Sequence, residues 1–213
     1  MPEFACPTSG NAELFAMPTQ LTDRFQNALA YAATLHGKQT RKASGEPYLS
    51  HLLAVAALVM ENGGNEDECI AALLHDAAED QGGRPILKEI QERFGAKVAT
   101  IVEGCSDTFE TPKPAWRVRK ETHITHLQTE SPSVRLITAA DKLHNIRSIL
   151  REYRRQGETL WSCFHGGRDG TLWYYRAVVT VLRQTGNSLL IEELERAVDE
   201  LESLASRSAR VSQ

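Results

Sequence analysis

The chain has 213 residues, 41% of them apolar, and a formal net charge of −4, enough to bury one good-sized core and too little for two full catalytic domains. The negative balance gives no global electrostatic case for duplex nucleic acid, whose binders show a basic face or stripe. The longest uninterrupted apolar run, Leu52 to Met60, is nine residues, against the roughly 20 needed to cross a bilayer, so no membrane span is expected.

In chain order, residues 1–19 carry Pro2, Pro7, Gly10 and Pro18 and read as a flexible leader, with Met17 as an alternative start. A basic start followed by an apolar stretch of signal-peptide length is missing, so secretion is not expected. Cys6, Cys69, Cys105 and Cys163 are widely spaced with no C-x-x-C pair, which fits a reduced, cytoplasmic protein. Thr22 caps a helix to Leu35 whose Phe25, Leu29, Ala32 and Ala33 share a face. A second helix, Ser50 to Met60, starts beside His51. A third enters after Gly63-Gly64 at Asn65 or Glu66 and runs to about Ala78. Pro85 fits the first turn of a fourth, ending near Phe94-Gly95. Ala96 to Cys105 and Pro114 to Gln128 follow, separated by the Pro112-Lys113-Pro114 loop. Pro132, at the first position of a long helix, carries it to about Tyr153. Helices over 171–185 and from Ser188 to Ser206 close the chain. The expectation is an all-α fold of about nine or ten helices over residues 20–206, with 207–213 as a flexible tail.

Four metal-type side chains stand in this pattern: His51, the adjacent pair His75-Asp76, and Asp141. Imidazoles and carboxylates suit a hard divalent cation such as Mn, Fe or Mg better than a closed thiolate zinc site. Adjacent residues on a helix point about 100° apart, so His75 and Asp76 reach one ion only near a helix end or with divergent rotamers. On the long helix Val134, Ile137, Ala140 or Asp141, Leu143 or His144, and Ile149 trace the buried face, and Asp141 is a carboxylate within it, where an unpaired carboxylate is costly and a cation is a fitting partner. Glu79 and Asp80 lie one turn beyond the pair, placed to take or steer the proton of a water at such a site. A His-Asp dipeptide alone is more often a surface or capping pair. The upstream His51 and the carboxylate in an otherwise apolar helix set that reading aside.

Three segments also carry a family resemblance: His36 to His51, Ala71-Ala-Leu-Leu-His-Asp-Ala-Ala-Glu-Asp80 and Ala140-Asp-Lys-Leu-His-Asn145. They look like the hydrolase domain of RelA/SpoT-type alarmone enzymes, and most like the stand-alone small alarmone hydrolases of the HD superfamily, from about residue 20 to about 190. The resemblance implies an all-helical fold, one Mn ion held by His51, His75, Asp76 and Asp141 (Fe or Mg fits the same donors), and a small-molecule purine nucleotide as substrate. It implies removal of the 3′-pyrophosphate of (p)ppGpp to give GDP or GTP and pyrophosphate. A synthetase needs a further domain, so hydrolysis without synthesis is expected.

By the same resemblance Arg41 stacks on the purine with Lys42 on phosphate, Asn145 meets ribose or phosphate, Ser148 points to the base, and one or more of Lys120, Arg117 and Arg119 closes on the pyrophosphate. His144 reads as a core or helix-contact residue. Arg151 to Arg155 read as a solvated face. Trp173 and Tyr174 read as packing, within a 161–176 stretch that walls the pocket and sets which nucleotide fits. The rival readings are a phosphohydrolase acting on pppApp, on the 2′-phosphate of NADPH or on a deoxynucleoside monophosphate, a sensor that binds alarmone without cutting it, and an interaction protein with an incidental metal. Oligomeric state is left open.

Overall fold

A computed structural model describes residues 19–110 and 112–211, with side chains to residue 207. Among the described residues ten α-helices and one 3-10 helix make the architecture, and the only β contact is an isolated bridge between Thr40 and Pro47. The helices are α1 (Asp23–Leu35), α2 (Leu49–Glu61), α3 (Glu66–Leu74), α4 (Ala77–Gln81), α5 (Arg84–Phe94), α6 (Ala96–Cys105), α7 (Trp116–Leu127), α8 (Pro132–Gln156), α9 (Gly167–Thr185) and α10 (Leu189–Val211), with the 3-10 turn Gly157–Cys163 between α8 and α9. The all-α expectation therefore holds. None of the helices among the described residues is long and apolar enough to cross a membrane.

Local chemistry accounts for the starts. The Thr22 side chain accepts from the backbone N–H of Arg24, Asn65 and Glu68 form a reciprocal capping box, and Ser131 accepts from Val134 N–H with Pro132 at the first helical position. In α3 every residue from Cys69 to Leu74 is fully buried. It has no polar face because it is wrapped by α1, α2, α6 and α8. The 25-residue α8, about 37 Å long at 1.5 Å per residue, is the spine: α2, α3 and α6 pack on one part of it and α9 and α10 on another. α2, the end of α3 and α8 pack on one another in the core, and the site is held where they meet.

Several boundaries differ from expectation. The third helix does not run to Ala78. It ends at Leu74, His75 and Asp76 form a turn, and α4 starts at Ala77, because a continuous helix would throw the two side chains apart. The 171–185 helix begins earlier, at Gly167, where a φ of 57° is open to glycine. The tail expected from residue 207 continues as α10 to Val211, a helix whose buried stripe is Leu190, Leu194, Val198, Leu201 and Ala205. All but the last residue of the expected leader, and Cys6 with it, lies outside the described residues. Thr19 itself is tied down, its hydroxyl donating to the Gly64 carbonyl at 2.6 Å.

Candidate active site

His51 comes from the first turn of α2, His75 and Asp76 from the break between α3 and α4, and Asp141 from the middle of α8. Residues 90 apart in sequence thus meet at one point. His51 Nε2 lies 3.2 Å from Asp141 Oδ1 and 3.6 Å from Asp76 Oδ2, and His75 Nε2 lies 3.1 Å from Asp76 Oδ2 and 3.8 Å from Asp141 Oδ1. Ligand atoms of His51, His75 and Asp141 all fall within 4.8 Å of one another. Both Nε2 atoms are buried without a hydrogen-bond partner. His75 Nδ1 sits 2.8 Å from the Ala72 carbonyl oxygen, so that nitrogen carries a proton and Nε2 is the ring atom turned inward; burial opposes ionisation of the ring, but with no ion beside it the Asp76 and Asp141 carboxylates hold its pKa well above the ordinary histidine value. Burial opposes ionisation of Asp76 and Asp141, yet His75 and His51 beside Asp76, and Lys142 and the same imidazoles beside Asp141, hold both carboxyls well below the usual range. Two imidazole nitrogens with no other partner facing two ionised carboxylates fit a divalent cation.

A second layer orients these groups. Tyr48 Oη donates to Asp76 Oδ2 at 2.5 Å, and burial followed by the Asp76 charge pushes the phenol up, so its proton stays in place. His51 Nδ1 is 2.7 Å from His144 Nδ1. His144, expected as a core or helix contact, is therefore a partner of His51 and leaves the ring's other nitrogen turned to the cluster. Lys142 Nζ donates to Asp141 Oδ2 at 2.6 Å, and the Asn145 amide donates to Asp141 Oδ1. Arg41 Nη2 donates to Asn145 Oδ1 at 2.6 Å, with its guanidinium 5.6 Å from the Tyr48 ring centre.

The cluster opens into a cleft made of two adjoining cavities of about 330 and 440 Å³ that share Lys42, Tyr48, Glu79, Asp80, Lys120, Lys142, Asn145 and Phe164 as walls. Arg41, Lys113 and Arg119 add positive charge, and Phe164, Tyr174 and Tyr175 give an aromatic side. Asp80 lies at the mouth, its Oδ2 accepting from Gln39 Nε2 at 2.7 Å. Desolvation by the cleft walls and then the Asp76 charge push its pKa up. Glu79 is engaged at both oxygens, by Lys113 Nζ at 2.9 Å and by the backbone N–H of Asp107 at 3.1 Å. Asp107 in turn accepts from Arg119 at 2.9 Å and Lys120 at 2.6 Å.

Of the residues singled out in the sequence, His51, His75, Asp76, Asp141, Glu79, Asp80, Arg41, Lys42, Lys120 and Asn145 converge on this cluster and cleft. Ser148 does not. It is half-buried on α8 and lines neither cavity. Arg117 is exposed, pairs with Glu121 and lies over the Trp173 ring. Arg151, Arg154 and Arg155 pair with Glu46, Glu200 and Glu152. Trp173 packs partly buried, as expected, whereas buried Tyr174 is both core and wall, with Lys120 Nζ 4.8 Å and Lys142 Nζ 5.7 Å from its ring centre.

An HD domain model matches residues 28–172, more than half of the chain. The chain belongs to the HD domain family. This HD domain is 35% identical over 139 residues to the guanosine-3′,5′-bis(diphosphate) 3′-pyrophosphohydrolase of Aquifex aeolicus, an alignment that covers 64% of this chain and 20% of that one. It is 36% identical over 127 residues to the human guanosine-3′,5′-bis(diphosphate) 3′-pyrophosphohydrolase MESH1, covering 58% of this chain and 68% of MESH1. Among solved structures, one described as a metazoan ortholog of SpoT that hydrolyzes ppGpp matches with a TM-score of 0.72 at 28% identity, over 85% of this chain and 97% of its own. The Listeria monocytogenes protein lmo0812 matches at 0.63 and 28%, over 71% and 97%. The chain thus spans about a fifth of the length of the Aquifex relative and about two thirds of the human one.

Sequence reasoning missed several residues of the HD domain's cleft. Tyr48 and Gln39 sit inside the His36–His51 motif, which was the signal available for them. Lys142 adjoins Asp141, and a lysine stem is long enough to turn back on its neighbour. Asp107 and Lys113 belong to the α6–α7 connection, which has no periodicity to read.

Proposed function

We infer that this HD domain is a metal-dependent phosphohydrolase that removes the 3′-pyrophosphate of (p)ppGpp-type alarmones, releasing GDP or GTP and pyrophosphate. The observation that carries the reading is the pair of buried, unpartnered Nε2 atoms of His51 and His75 at the end of a cleft walled by cations and aromatic rings. The names of its relatives, which the chain covers in one case for only a fifth, support the same substrate class. His51, His75, Asp76 and Asp141 would hold the ion, for which we propose Mn, with Fe or Mg served by the same donors. When bound, such an ion lowers the pKa of water and polarises a phosphoryl oxygen.

This chain's own groups supply the rest. The water oxygen bonds to the phosphorus next to the 3′-oxygen, the bond from that phosphorus to the 3′-oxygen breaks, and the sugar oxygen leaves as a 3′-hydroxyl, taking up the proton that Asp80 has removed from the water. Asp80 takes the proton from the water: one of its oxygens is steadied by Gln39, and its raised pKa makes it a better base. Glu79 acts beside it by fixing Lys113 and the backbone of Asp107, so that Lys113, Arg119 and Lys120 stand against the departing phosphates. Arg41 lies across the base with its guanidinium steadied by Asn145, and Lys42 meets phosphate as a compact charge. Phe164, Tyr174 and Tyr175 wall the nucleotide from the 161–176 side. The free thiols of Cys69, Cys105 and Cys163 suit a reducing, cytoplasmic setting.

The test is release of pyrophosphate or phosphate by the Mn-loaded protein from ppGpp, pppGpp, pppApp and NADPH, with Asp76→Ala as control. Pyrophosphate from a guanosine 3′-pyrophosphate, abolished by Asp76→Ala, is the expected result. Pyrophosphate from pppApp alone, or single phosphate from NADPH alone, would replace the substrate. Tight binding without turnover would make the protein a sensor.

A further inference from the structure

Asp80, at the mouth of the cleft, is held by the neutral amide of Gln39. Gln39 Nε2 donates to its Oδ2 at 2.7 Å. The amide cannot be turned round without setting its carbonyl against the carboxylate, and with the NH2 facing Asp80 the other end meets two donors. Gln81 Nε2 donates to Gln39 Oε1 at 2.7 Å, and His36 Nδ1 lies 2.6 Å from the same oxygen, so His36 carries its proton on Nδ1. His36 is buried, and its ring stacks on Tyr48 at 5.4 Å between centres. Tyr48 is the residue that donates to Asp76. The backbone closes the arrangement: Gln39 N–H donates to the His36 carbonyl and Tyr48 N–H to that of Gln39, each at 2.9 Å. Thus one short loop between α1 and α2 reaches both a proposed metal ligand and the proposed base.

We propose that Gln39, locked by His36 and Gln81, is a positioning residue that fixes the Asp80 carboxylate in the orientation from which it takes the proton. The proposal rests on the role given to Asp80 above. Asp80 sits at the cleft mouth, followed by Gln81 and the pair Gly82-Gly83, with φ of 150° and 69°, and among the described residues no cation is bonded to it. Without the amide its side chain is free to rotate into solvent. A misplacement of about 1 Å at a reacting group can cost on the order of 100-fold in rate, so the effect belongs in kcat and not in substrate binding.

The experiment is a double-mutant cycle with Gln39→Leu and Asp80→Ala on Mn-loaded protein and ppGpp, together with the NMR signal of the Gln39 side-chain NH2. Gln39→Leu is expected to lower kcat roughly 10- to 100-fold with KM unchanged within about two-fold, metal content and Tm retained, and no further loss in the Asp80→Ala background. The Gln39 NH2 resonance is expected to move in Asp80→Ala whatever the substrate proves to be. Equal losses in both backgrounds, a change in KM alone, or full activity of Gln39→Leu beside an inactive Asp80→Ala would overturn the proposal while leaving Asp80 as the base. Full activity of Asp80→Ala would instead overturn the role of Asp80, and the positioning role with it. An unmoved NH2 resonance would refute the contact.

Discussion

His123 is a buried histidine on α7 facing the inner wall of the cleft, with Nδ1 3.2 Å from Tyr174 Oη. Burial, and then the neighbouring Lys142 charge, lower its pKa to about 3, against about 6.5 in an unfolded chain. Between those two values the unfolded state binds a proton that the folded state refuses, so stability falls as pH falls. The loss begins near pH 6.5 and grows by about 1.4 kcal/mol per unit, reaching roughly 2 kcal/mol at pH 5 and about 5 kcal/mol near pH 3. The perturbation that isolates this term is His123→Asn, which keeps a polar atom near the Nδ1 position and removes the titration. Urea unfolding at pH 7.5 and pH 5.0 reads the difference. The wild-type protein is expected to lose about 2 kcal/mol more than the variant over that interval. Equal losses, within about 0.5 kcal/mol, would show that His123 takes up its proton in the folded state and that the wall around it is wetter than its burial indicates.

Other perturbations probe the remaining layers. Tyr48→Phe removes only the hydroxyl that donates to Asp76 and is expected to weaken Mn binding about 10- to 100-fold in a chelator competition; unchanged affinity would show that Asp76 needs no such support. Addition of Mn is expected to raise Tm in step with its concentration, and His75→Ala to abolish that rise; a persisting rise would place the ion elsewhere. Gly166→Ala would set a Cβ 2.6 to 3.0 Å from the Trp116 ring, and the overpacking is expected to cost about 1–3 kcal/mol, seen as a lowered Tm. Gly170→Ala, at 3.1 to 3.2 Å from the same ring, is expected to be milder, and the reverse order would refute the packing argument.

The helices were readable because their ends carry local chemistry: Thr22, Asn65 and Pro132 announce starts whatever the rest of the chain does. The metal-type residues were readable for a different reason, since His51, His75, Asp76 and Asp141 are of types that apolar helices rarely carry without a partner. What escaped the sequence is what holds the carboxylates of the site in place. The cleft gathers the carboxylates of Asp76, Glu79, Asp80, Asp107 and Asp141, and each has its own donor: Tyr48, Lys113, Gln39, the Arg119 and Lys120 pair, and Lys142. These donors are scattered from residue 39 to residue 142 across two loops and two helices, so no periodicity within one segment links a donor to its acid. Asp76, Glu79 and Asp80 form one motif because they follow one another through the α3–α4 break into α4, and Asp141 stands out on the apolar face of α8; the donors are joined to these acids only by tertiary packing. Most of the donors lie at the edge of the core, where a substitution leaves the apolar packing of α3 and α8 intact and alters the charge and aim of the group it serves. Loss of a donor is therefore felt in the chemistry of the site before it is felt in the fold.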